Sequence, residues 1–524
     1  MSHAARLPCE EGFIRSGAAG AQPASPAAAP WVLAATILGS SLAFIDGTVV
    51  TVAIPAIARE FSATAADVQW VVEAYALFLS ALLLAGGALG DLLGRRRVFA
   101  LGIVIFTIAS AACGLAGSVL LLILARAVQG IGAALLVPGS LALIAASFDP
   151  EHRGRAIGTW SGFSGITAAI GPLVGGWLVS HSWRWAFFLN VPVAAGVLLL
   201  LRRVPESRNP HACRLDVPGA ALVTAGLGGL VYGLIESSRR GWGDPSVIAA
   251  LAVGSLAFAG FVLVEARSKE PMLPLDLFRS SDFTGANLLT LFLYGALGCA
   301  LFYFPLDLIQ VQGYSPLQAG AALLPFIAIL FVLSRWSGGL VARLGARLPL
   351  VLGPILAALG FYLLSVPGIG GSYGTTYFPA VIVLGLGMAV SIAPLTTTVM
   401  NAVGEENAGV ASGVNNAVSR TAGLLAIAVL GILLVAVFRG ELSKRTSSLP
   451  LTPGQRAEVL AEGDKLAAAQ PPADLTAGEA SAVRRAVDES FVTGFRAVAR
   501  ASSALALLSA ACAWAWIGRK RKGA

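Results

Sequence analysis

The sequence predicts an all-α polytopic membrane protein with fourteen transmembrane helices. Of its 524 residues, 56% are hydrophobic and 12% are charged, whereas soluble domains carry about 25% charged residues. The apolar residues fall into blocks of about 20, long enough to cross a hydrocarbon core of about 30 Å as helices. The fourteen blocks are 31–52, 68–89, 98–117, 119–143, 155–179, 185–201, 218–236, 246–265, 285–308, 316–336, 348–366, 377–399, 412–438 and 497–517.

The basic residues of the connecting loops predict the orientation. Eighteen arginines and lysines lie in loops after even-numbered blocks and in the C-terminal tail, whereas the short loops after odd-numbered blocks hold four. Since basic residues collect on the cytoplasmic side of membranes, both termini are predicted to be cytoplasmic, which requires an even number of spans. The net charge of +8 is therefore attributed to membrane orientation, and no nucleic-acid partner is expected.

The order of these blocks predicts the domain organisation. The N-terminal residues are rich in Ala, Gly and Pro and lack the basic, apolar and cleavage regions of a signal peptide, so we expect a tail without fixed structure. The expected regions are a disordered cytoplasmic tail at 1–30, a six-helix bundle at 31–203, linkers and two inserted helices at 204–284, a second six-helix bundle at 285–518 with a long external loop at 439–496, and a basic cytoplasmic tail at 519–524.

Three short stretches of the first half recur in the second half at offsets of 251 or 255 residues. They are EHRGRAIG at Glu151–Gly158 with ENAGVASG at Glu406–Gly413, Gly130-Ile-Gly132 with Gly385-Leu-Gly387, and GALGDLLGRR at Gly87–Arg96 with GGLVARLGAR at Gly338–Arg347. Paired membrane halves of this kind are typical of transporters that bind their substrate between the halves.

A polar cluster separates the second and third blocks. Asp91 lies between Gly87 and Gly94 and is followed by Arg95 and Arg96. A carboxylate at this membrane depth needs an arginine or a helix N-terminus as partner, so the cluster is a candidate clasp that holds two bundles together in one conformation. The alternative is a tight turn followed by ordinary cytoplasmic arginines.

Asp46, Arg126 and Glu73 are ionisable residues inside predicted spans, where such groups are functional candidates. Asp46 and Arg126 lie at similar depth in the first and fourth spans, so the two side chains can meet. A carboxylate that changes partner during transport is suited to binding and releasing a proton, whereas a permanent ion pair would only orient helices. Glu73, near the outer end of the second span, is a second candidate acid or else a hydrated interfacial carboxylate.

Other polar and glycine-rich positions allow weaker predictions. Span five carries a small-residue face with a proline, suited to close helix packing and to sealing against proton leak. Glu236, Glu265 and Asp307 lie at span ends and are expected at the interface with water, while Arg420 has no partner that the sequence identifies. The glycine-rich residues are Gly171, Pro172, Gly175 and Gly176, and the candidate substrate-cavity residues are Thr48, Gln129, Thr397 and Asn401.

The sequence offers no signature of catalysis, and none of a metal or cofactor site. It contains no phosphate-binding loop, no H-E-x-x-H stretch and no recognisable catalytic triad context. The four histidines fall in tails or loops, and the five cysteines have neither zinc-ligand nor redox spacing. We therefore expect a protein that is not an enzyme, with no catalytic residues and no bound metal or cofactor.

Several motifs resemble those of the major facilitator superfamily. The stretch from Gly87 to Arg97 is similar to the family signature between its second and third helices, and LILARAVQGIGAA at Leu122–Ala134 is similar to its fourth-helix motif. GPLVGG at Gly171–Gly176 resembles the fifth-helix motif of antiporters. FIDGTVVTVAIP at Phe44–Pro55 and WRWAFFLNVP at Trp183–Pro192 resemble the fourteen-span drug:proton antiporters. The resemblance covers about 31–438 and the last span.

The resemblance implies a major facilitator fold of six, two inserted and six helices in a bacterial cell membrane. It implies proton-driven export of small hydrophobic compounds by alternating access, with protons, substrate and lipid as the partners. Asp46, Arg126 and Glu73 would couple the protons, and Asp91 with its arginines would favour the outward-facing state. Ala342 stands where the second half would carry a counterpart of Asp91, so the halves should not gate equivalently. An uptake symporter on the same fold is the alternative; substrate breadth and oligomeric state stay open.

Overall fold

The computed structural model describes residues 28–208, 215–268, 271–337, 339–403 and 408–518, and secondary structure within these ranges is entirely helical. The terminal tails predicted at 1–30 and 519–524 lie outside the described residues, apart from positions 28–30. Gly338 and the start of the second-half stretch at 406–413 also lie outside them.

Each of the fourteen apolar blocks lies on a helix or on a pair of short helices, which we number α1 to α14. Their bounds are Ala29–Phe61 (α1), Ala65–Leu93 (α2), Arg95–Gly114 (α3), Val119–Ser147 (α4), Pro150–His181 (α5), Trp185–Leu201 (α6), Val217–Arg240 (α7), Pro245–Arg267 (α8), Ser281–Gln310 (α9), Pro316–Ala321 with Leu324–Ser337 (α10), Arg347–Leu364 (α11), Phe378–Asn401 (α12), Ala408–Ser447 (α13) and Ala477–Trp516 (α14).

The lengths of these helices agree with the predicted number of spans. Within the described residues, twelve helices are long and apolar enough to cross a membrane by length and composition, and α6 is a shorter apolar helix. The remaining helix, α5, has 32 residues, which corresponds to about 48 Å at 1.5 Å per residue. The prediction of an all-α protein with fourteen transmembrane helices is confirmed.

Capping residues set several of the helix boundaries. Thr64 and Asp67 form a reciprocal capping box at the start of α2, and the Asp149 side chain accepts the backbone N–H of His152 at the start of α5. Between α2 and α3 the chain turns at a single residue, Gly94, with a φ of +112°. This left-handed conformation favours glycine, so the sharp α2–α3 turn depends on that residue.

The internal repeat of the sequence is reproduced in the helix packing. In the first half, α4 packs against α2 and α3; in the second half, α12 packs against α10 and α11. A Cβ on Gly102 of α3 would lie 2.9 Å from the carbonyl oxygen of Gly132, and a Cβ on Gly353 of α11 would lie 3.0 Å from that of Gly387. Matching glycines therefore allow the same close backbone crossing in both halves.

The two inserted helices, α7 and α8, pack against each other, and α7 also packs on α2 and α13. Leu77 and Ala81 of α2, Val231 of α7 and Ala428 of α13 belong to one buried apolar cluster there. The insert is therefore attached where the first and second halves of the chain meet. In contrast, α8 leaves large apolar side chains exposed, among them Leu256 at 72%.

Much of the segment 439–496, predicted as a loop, is helical. Helix α13 continues to Ser447, a short helix spans Pro453–Ala461, and α14 already begins at Ala477. Charges spaced by four residues support these extensions, as in the Arg484–Asp488 pair at 2.8 Å, and Arg445 of α13 also binds Glu489 of α14. The loop prediction was wrong there because hydropathy detects only the lipid-facing part of a helix.

The orientation leads to a labelling prediction. In a variant without native cysteines, we expect Gly454→Cys to react with a membrane-impermeant maleimide on intact cells, because this position is exposed between α13 and α14. Asp276→Cys, whose side chain is 82% exposed before α9, should react only after permeabilisation. The opposite pattern would reverse the orientation assigned by the basic loops.

Candidate functional site

The first site residues, Asp46 of α1 and Arg126 of α4, form an ion pair inside the first bundle. Arg126 Nη1 lies 2.5 Å from Asp46 Oδ2, and the two side chains are 1% and 0% exposed. Gln129 donates from Nε2 to Asp46 Oδ1 at 2.8 Å, while Arg126 Nε donates to the carbonyl oxygen of Val71 on α2 at 3.0 Å. The structure thus brings together three residues that the sequence singled out on two separate helices.

Further residues around the pair were not identified from the sequence. Asn190 of α6 donates to Asp46 Oδ1 at 3.4 Å and to Ser110 Oγ of α3 at 2.9 Å. The guanidinium of Arg126 lies 4.3 Å from the ring centroid of Tyr75 on α2, a cation–π contact. The available signal for Asn190 was its place in the stretch Trp183–Pro192, which contributed only to the family resemblance.

The network gives the Asp46 carboxylate a defined chemistry. The carboxylate accepts its described hydrogen bonds from one guanidinium and from two side-chain amide groups. Removal of the Asp46 charge would weaken the contact with Arg126. Loss of either charge would leave the other buried without its ionic partner, which is costly in a low-dielectric interior.

Glu73 lies elsewhere on α2 and does not join this network. Its side chain is fully buried, and neither carboxylate oxygen has a hydrogen-bond partner in the described part of the chain. One turn away on the same face, Gln69 donates to Tyr303 Oη of α9 at 2.9 Å, so this face of α2 points at the second half. The alternative interpretation of Glu73 as a hydrated carboxylate does not fit this burial.

Three other carboxylates at span ends were expected to be interfacial, and this was wrong. Asp307 is 1% exposed and accepts a 2.8 Å hydrogen bond from Tyr377 Oη. Glu236 and Glu265 are 5% and 2% exposed, and Glu236 accepts from Arg240 Nε at 2.9 Å. Neighbouring elements cover them, which hydropathy along a single helix cannot predict.

The gating cluster is held together within the first bundle. Asp91 and Arg95 are 3% and 2% exposed, and Arg95 Nε, at the start of α3, donates to Asp91 Oδ1, near the end of α2, at 2.8 Å across the turn at Gly94. A Cβ on Gly87 would lie 3.6 Å from Pro138 Cβ of α4, an ordinary contact distance. A clasp between the two bundles by Asp91 stays a prediction.

Glu206, after α6, completes the cluster and was not identified from the sequence. Its Oε1 accepts the backbone N–H of Arg96 at 3.0 Å, and its carboxylate also lies 3.7 Å from Arg97. A carboxylate at the N-terminus of α3 is favoured by the free N–H groups and the helix dipole. A Cβ on Gly94 would lie 2.9 Å from this carboxylate, so Gly94 also makes room for Glu206.

The glycine-rich motif of α5 packs against two other helices, α1 and α10. Gly175 faces α1, where a Cβ would lie 2.9 Å from Val49 Cγ2; Gly171 faces Thr48 of the same helix. On the other side, a Cβ on Gly176 would lie 2.5 Å from Leu317 Cα, and one on Gly320 would collide with the carbonyl of Pro172. The two halves of the chain thus meet here backbone to backbone, at the ends of α5 and α10 that the orientation places outside.

The candidate cavity residues have different environments. Gln129 is fully buried in the Asp46 network. The Thr48 and Thr397 hydroxyls bond carbonyls of their own helices, those of Ile45 at 3.0 Å and Ala393 at 3.0 Å. Asn401 is exposed at the end of α12. The structure does not bring the four together, and their contact with substrate stays a prediction.

Comparisons with known proteins fit this architecture. The sequence profile of the Major Facilitator Superfamily matches residues 36–427. The chain is 35% identical over 495 residues to the tetracenomycin C resistance and export protein of Streptomyces glaucescens, covering 92% of this chain and 91% of the relative. It is 37% identical over 438 residues to the multidrug resistance protein Stp of Mycobacterium tuberculosis, with 82% and 80% covered.

A solved structure shares the fold. The crystal structure of a bacterial homologue of the human lysosomal transporter Spinster, inward-facing and unoccupied, matches with a TM-score of 0.65 and 19% identity, covering 94% of this chain and 99% of the other. The apolar helices and these relatives identify the chain as a multi-pass bacterial membrane protein.

The buried ion pair leads to a stability prediction. We expect Asp46→Asn and Arg126→Gln each to lower the free energy of unfolding by about 3–5 kcal/mol, because each leaves a buried charge without its partner. The double variant should cost less than the sum of the two. Thermal unfolding of the purified wild type, single variants and double variant measures this double-mutant cycle. The exposed Asp276–Arg279 pair is the control, for which no interaction energy between the two residues is expected. Additive effects at Asp46 and Arg126 would contradict the prediction.

The α5–α10 contact leads to a second prediction. Gly176→Val should reduce transport by more than about tenfold, because a side chain there meets backbone that cannot yield without separating the helices. A cysteine at the exposed position Gly47 of α1 should then become reactive to external maleimide. The control is Gly196→Val in α6, where a Cβ has open space. Normal transport by Gly176→Val would show that this contact does not close the external side.

Proposed function

The chain belongs to the major facilitator superfamily, and we propose that it is a proton-coupled antiporter that exports small hydrophobic, drug-like compounds by alternating access. The family profile covers most of the chain, and two relatives more than 30% identical along most of it are named for drug resistance, one of them also for export. The single observation that carries the proposed coupling mechanism is the fully buried Asp46 carboxylate, which accepts hydrogen bonds from Arg126 and Gln129.

Asp46 supports proton coupling because one proton changes the whole network. The carboxylate holds Arg126 and Gln129 together, and Arg126 in turn binds the backbone of α2 through Val71. A proton on Asp46 removes the charge that compensates Arg126. The attraction that holds the helices of these two residues in their present arrangement is then weaker. A proton entering under 100 mV contributes about 2.3 kcal/mol, enough for roughly fifty-fold concentration of a neutral solute.

Glu73 is the second proposed proton site. A carboxylate that is buried without a hydrogen-bond partner is far less costly with a proton than without one. Glu73 lies on the face of α2 that contacts α9 through Gln69 and Tyr303, so its environment changes when the halves move apart. Asp46 inside one bundle and Glu73 between bundles would then bind protons in different conformations.

The direction of transport is proposed from the relatives and the contacts between halves. Fold alone does not decide between export and uptake. The contact of Gly176 and Gly320 with the opposing backbones supports a conformation whose external side is closed. Compounds would therefore enter from the cytoplasm or the inner leaflet and leave after that contact opens.

The proposal predicts compound-triggered proton release. In inverted membrane vesicles with an acid interior, tetracenomycin C or another hydrophobic drug should raise the internal pH when the wild type is present. Asp46→Asn should abolish the response, and Glu73→Gln should reduce it, because each variant removes a proposed proton carrier. A pH-sensitive dye measures the change in vesicles matched for protein content.

Asp276→Asn, at an exposed position before α9, serves as the matched control for a lost carboxylate and should leave the response unchanged. Equal release with wild type and Asp46→Asn would retain antiport and reduce Asp46 to a structural role. Failure with every compound, together with proton-dependent uptake of a labelled nutrient into intact cells, would replace export by the symporter interpretation.

A further inference from the structure

Arg420 of α13 is a charged residue inside the membrane that has no ionic partner. It lies eight residues after position 412, where the apolar block begins, and so about 12 Å into the hydrocarbon core at 1.5 Å per residue. Among the residues that the structure describes, no acidic side chain pairs with it, and its buried Nε atom has no hydrogen-bond partner. A guanidinium stays charged in proteins, and a charged residue within a span is a functional candidate.

The side chain of Arg420 belongs to the face of α13 that meets the first bundle. Ala417, three residues before it, packs against the apolar cluster that contains Tyr75 of α2. Leu424, four residues after it, belongs to a cluster with Leu77 of α2. Residues three and four apart share one face of a helix, and Arg420 is only partly covered by its neighbours. Its charge therefore lies at the boundary between the two halves, where transporters with paired halves bind their substrates.

Tyr75 is the ionisable neighbour of Arg420 across this boundary. The residue is 6% exposed, and its hydroxyl group is buried without a hydrogen-bond partner in the described part of the chain. Its ring already makes the cation–π contact with Arg126, whose charge is compensated by Asp46. Tyr75 thus adjoins two arginines, of which Arg126 has a counter-ion and Arg420 has none within the described ranges.

The missing partner of Arg420 defines the chemistry of a ligand. A guanidinium has five N–H donors and no acceptor, and a phenol hydroxyl can donate as well. A buried charge without a partner is costly, and an anionic group bound to it would remove that cost, whereas a cation would be repelled. The neighbouring side chains of both helices, such as Leu77 and Leu424, are apolar. An acidic group on an apolar body satisfies both conditions.

We propose that Arg420, together with the Tyr75 hydroxyl, binds the acidic group of the exported compounds, so that the transporter prefers amphiphilic organic monoanions with one carboxylate, sulfonate or phenolate. The proposal rests on the proposed export function and names its substrate class. Arg420 is then a specificity residue contributed by the second half. Through the ring of Tyr75 the anion site adjoins the Asp46–Arg126 pair, but Arg420 itself is not part of that network.

Two fluorescent compounds with the same apolar body test the recognition of charge. 8-Anilino-1-naphthalenesulfonate carries one negative charge, and N-phenyl-1-naphthylamine is the same ring system without the sulfonate. Equilibrium dialysis against the full-length protein in lipid nanodiscs, corrected for empty nanodiscs, measures both affinities. Arg420→Gln should weaken binding of the sulfonate by about tenfold or more, because one partner of a desolvated charge contact is lost. Binding of the uncharged amine should change by less than about twofold, and Arg420→Lys should restore part of the sulfonate affinity.

Two further variants and one further measurement separate recognition from structure. Tyr75→Phe keeps the ring beside Arg126 and removes only the hydroxyl, so it should weaken sulfonate binding by about threefold. Arg279→Gln, whose side chain is 84% exposed, is the matched control for a lost guanidinium and should bind both compounds normally. In thermal unfolding without ligand, Arg420→Gln should be at least as stable as the wild type, because it removes a charge that has no partner.

The inference is overturned if Arg420→Gln leaves the sulfonate affinity unchanged, or if it weakens binding of both compounds alike and lowers the unfolding temperature, as loss of a structural ion pair would. In vesicles, Arg420→Gln should raise the KM for export of the sulfonate more than the KM for the amine. Compound-triggered proton release that does not depend on Arg420 for either compound would refute the site and retain the antiporter. Sulfonate binding that depends on Arg420, without proton release for any compound, would refute the antiporter and retain the site.

Discussion

The cost of burying charge in a low-dielectric interior governs the arrangement of the first bundle. Asp46 of α1 and Arg126 of α4 are tolerated there because they pair with each other and form further hydrogen bonds with residues of α2, α4 and α6. The pair therefore fixes how four helices sit against one another. Under the proposed coupling, a proton on Asp46 would alter contacts on all four helices. Stability and proposed coupling thus draw on the same small network.

Close backbone contact between helices is the second constraint, and glycines permit it both within each half and between the two halves. Gly102 with Gly132 and Gly353 with Gly387 lock neighbouring helices inside each half. Gly176 and Gly320 allow a similar approach between the halves. Contacts of this kind contain few interlocking side chains, so two rigid bodies can separate and meet again without repacking a core. That property suits an external closure that must open in each transport cycle.

The sequence was sufficient for the parts of the fold that hydropathy and periodicity record. Fourteen helices and the repeated halves followed from apolar blocks and matching glycines, and Asp46 and Arg126 stood out because charges are rare inside spans. It was insufficient where a residue's environment is made by distant chain segments. Asn190 and Glu206 are ordinary polar residues until α6 and the chain after it are placed beside Asp46 and Gly94. Glu265 and Asp307 looked interfacial because only tertiary packing covers them. The charged ends of α13 and α14 looked like a loop because lipid-facing hydropathy stops where the helices leave the membrane.

The distribution of buried charge sets the two halves apart despite their shared packing. The Asp46–Arg126 network and the Asp91–Arg95 pair both belong to the first bundle, and Ala342 occupies the place of Asp91 in the second half of the sequence. Equivalent crossings of glycines therefore give both halves the same helix packing, while the Asp46–Arg126 network proposed to respond to protons lies in the first bundle. The insert adds to this asymmetry, because α7 contacts α2 of the first bundle and α13 of the second. A change in the distance between those two helices must be accommodated at the insert, so the proposed movement of the two halves would be transmitted directly to α7.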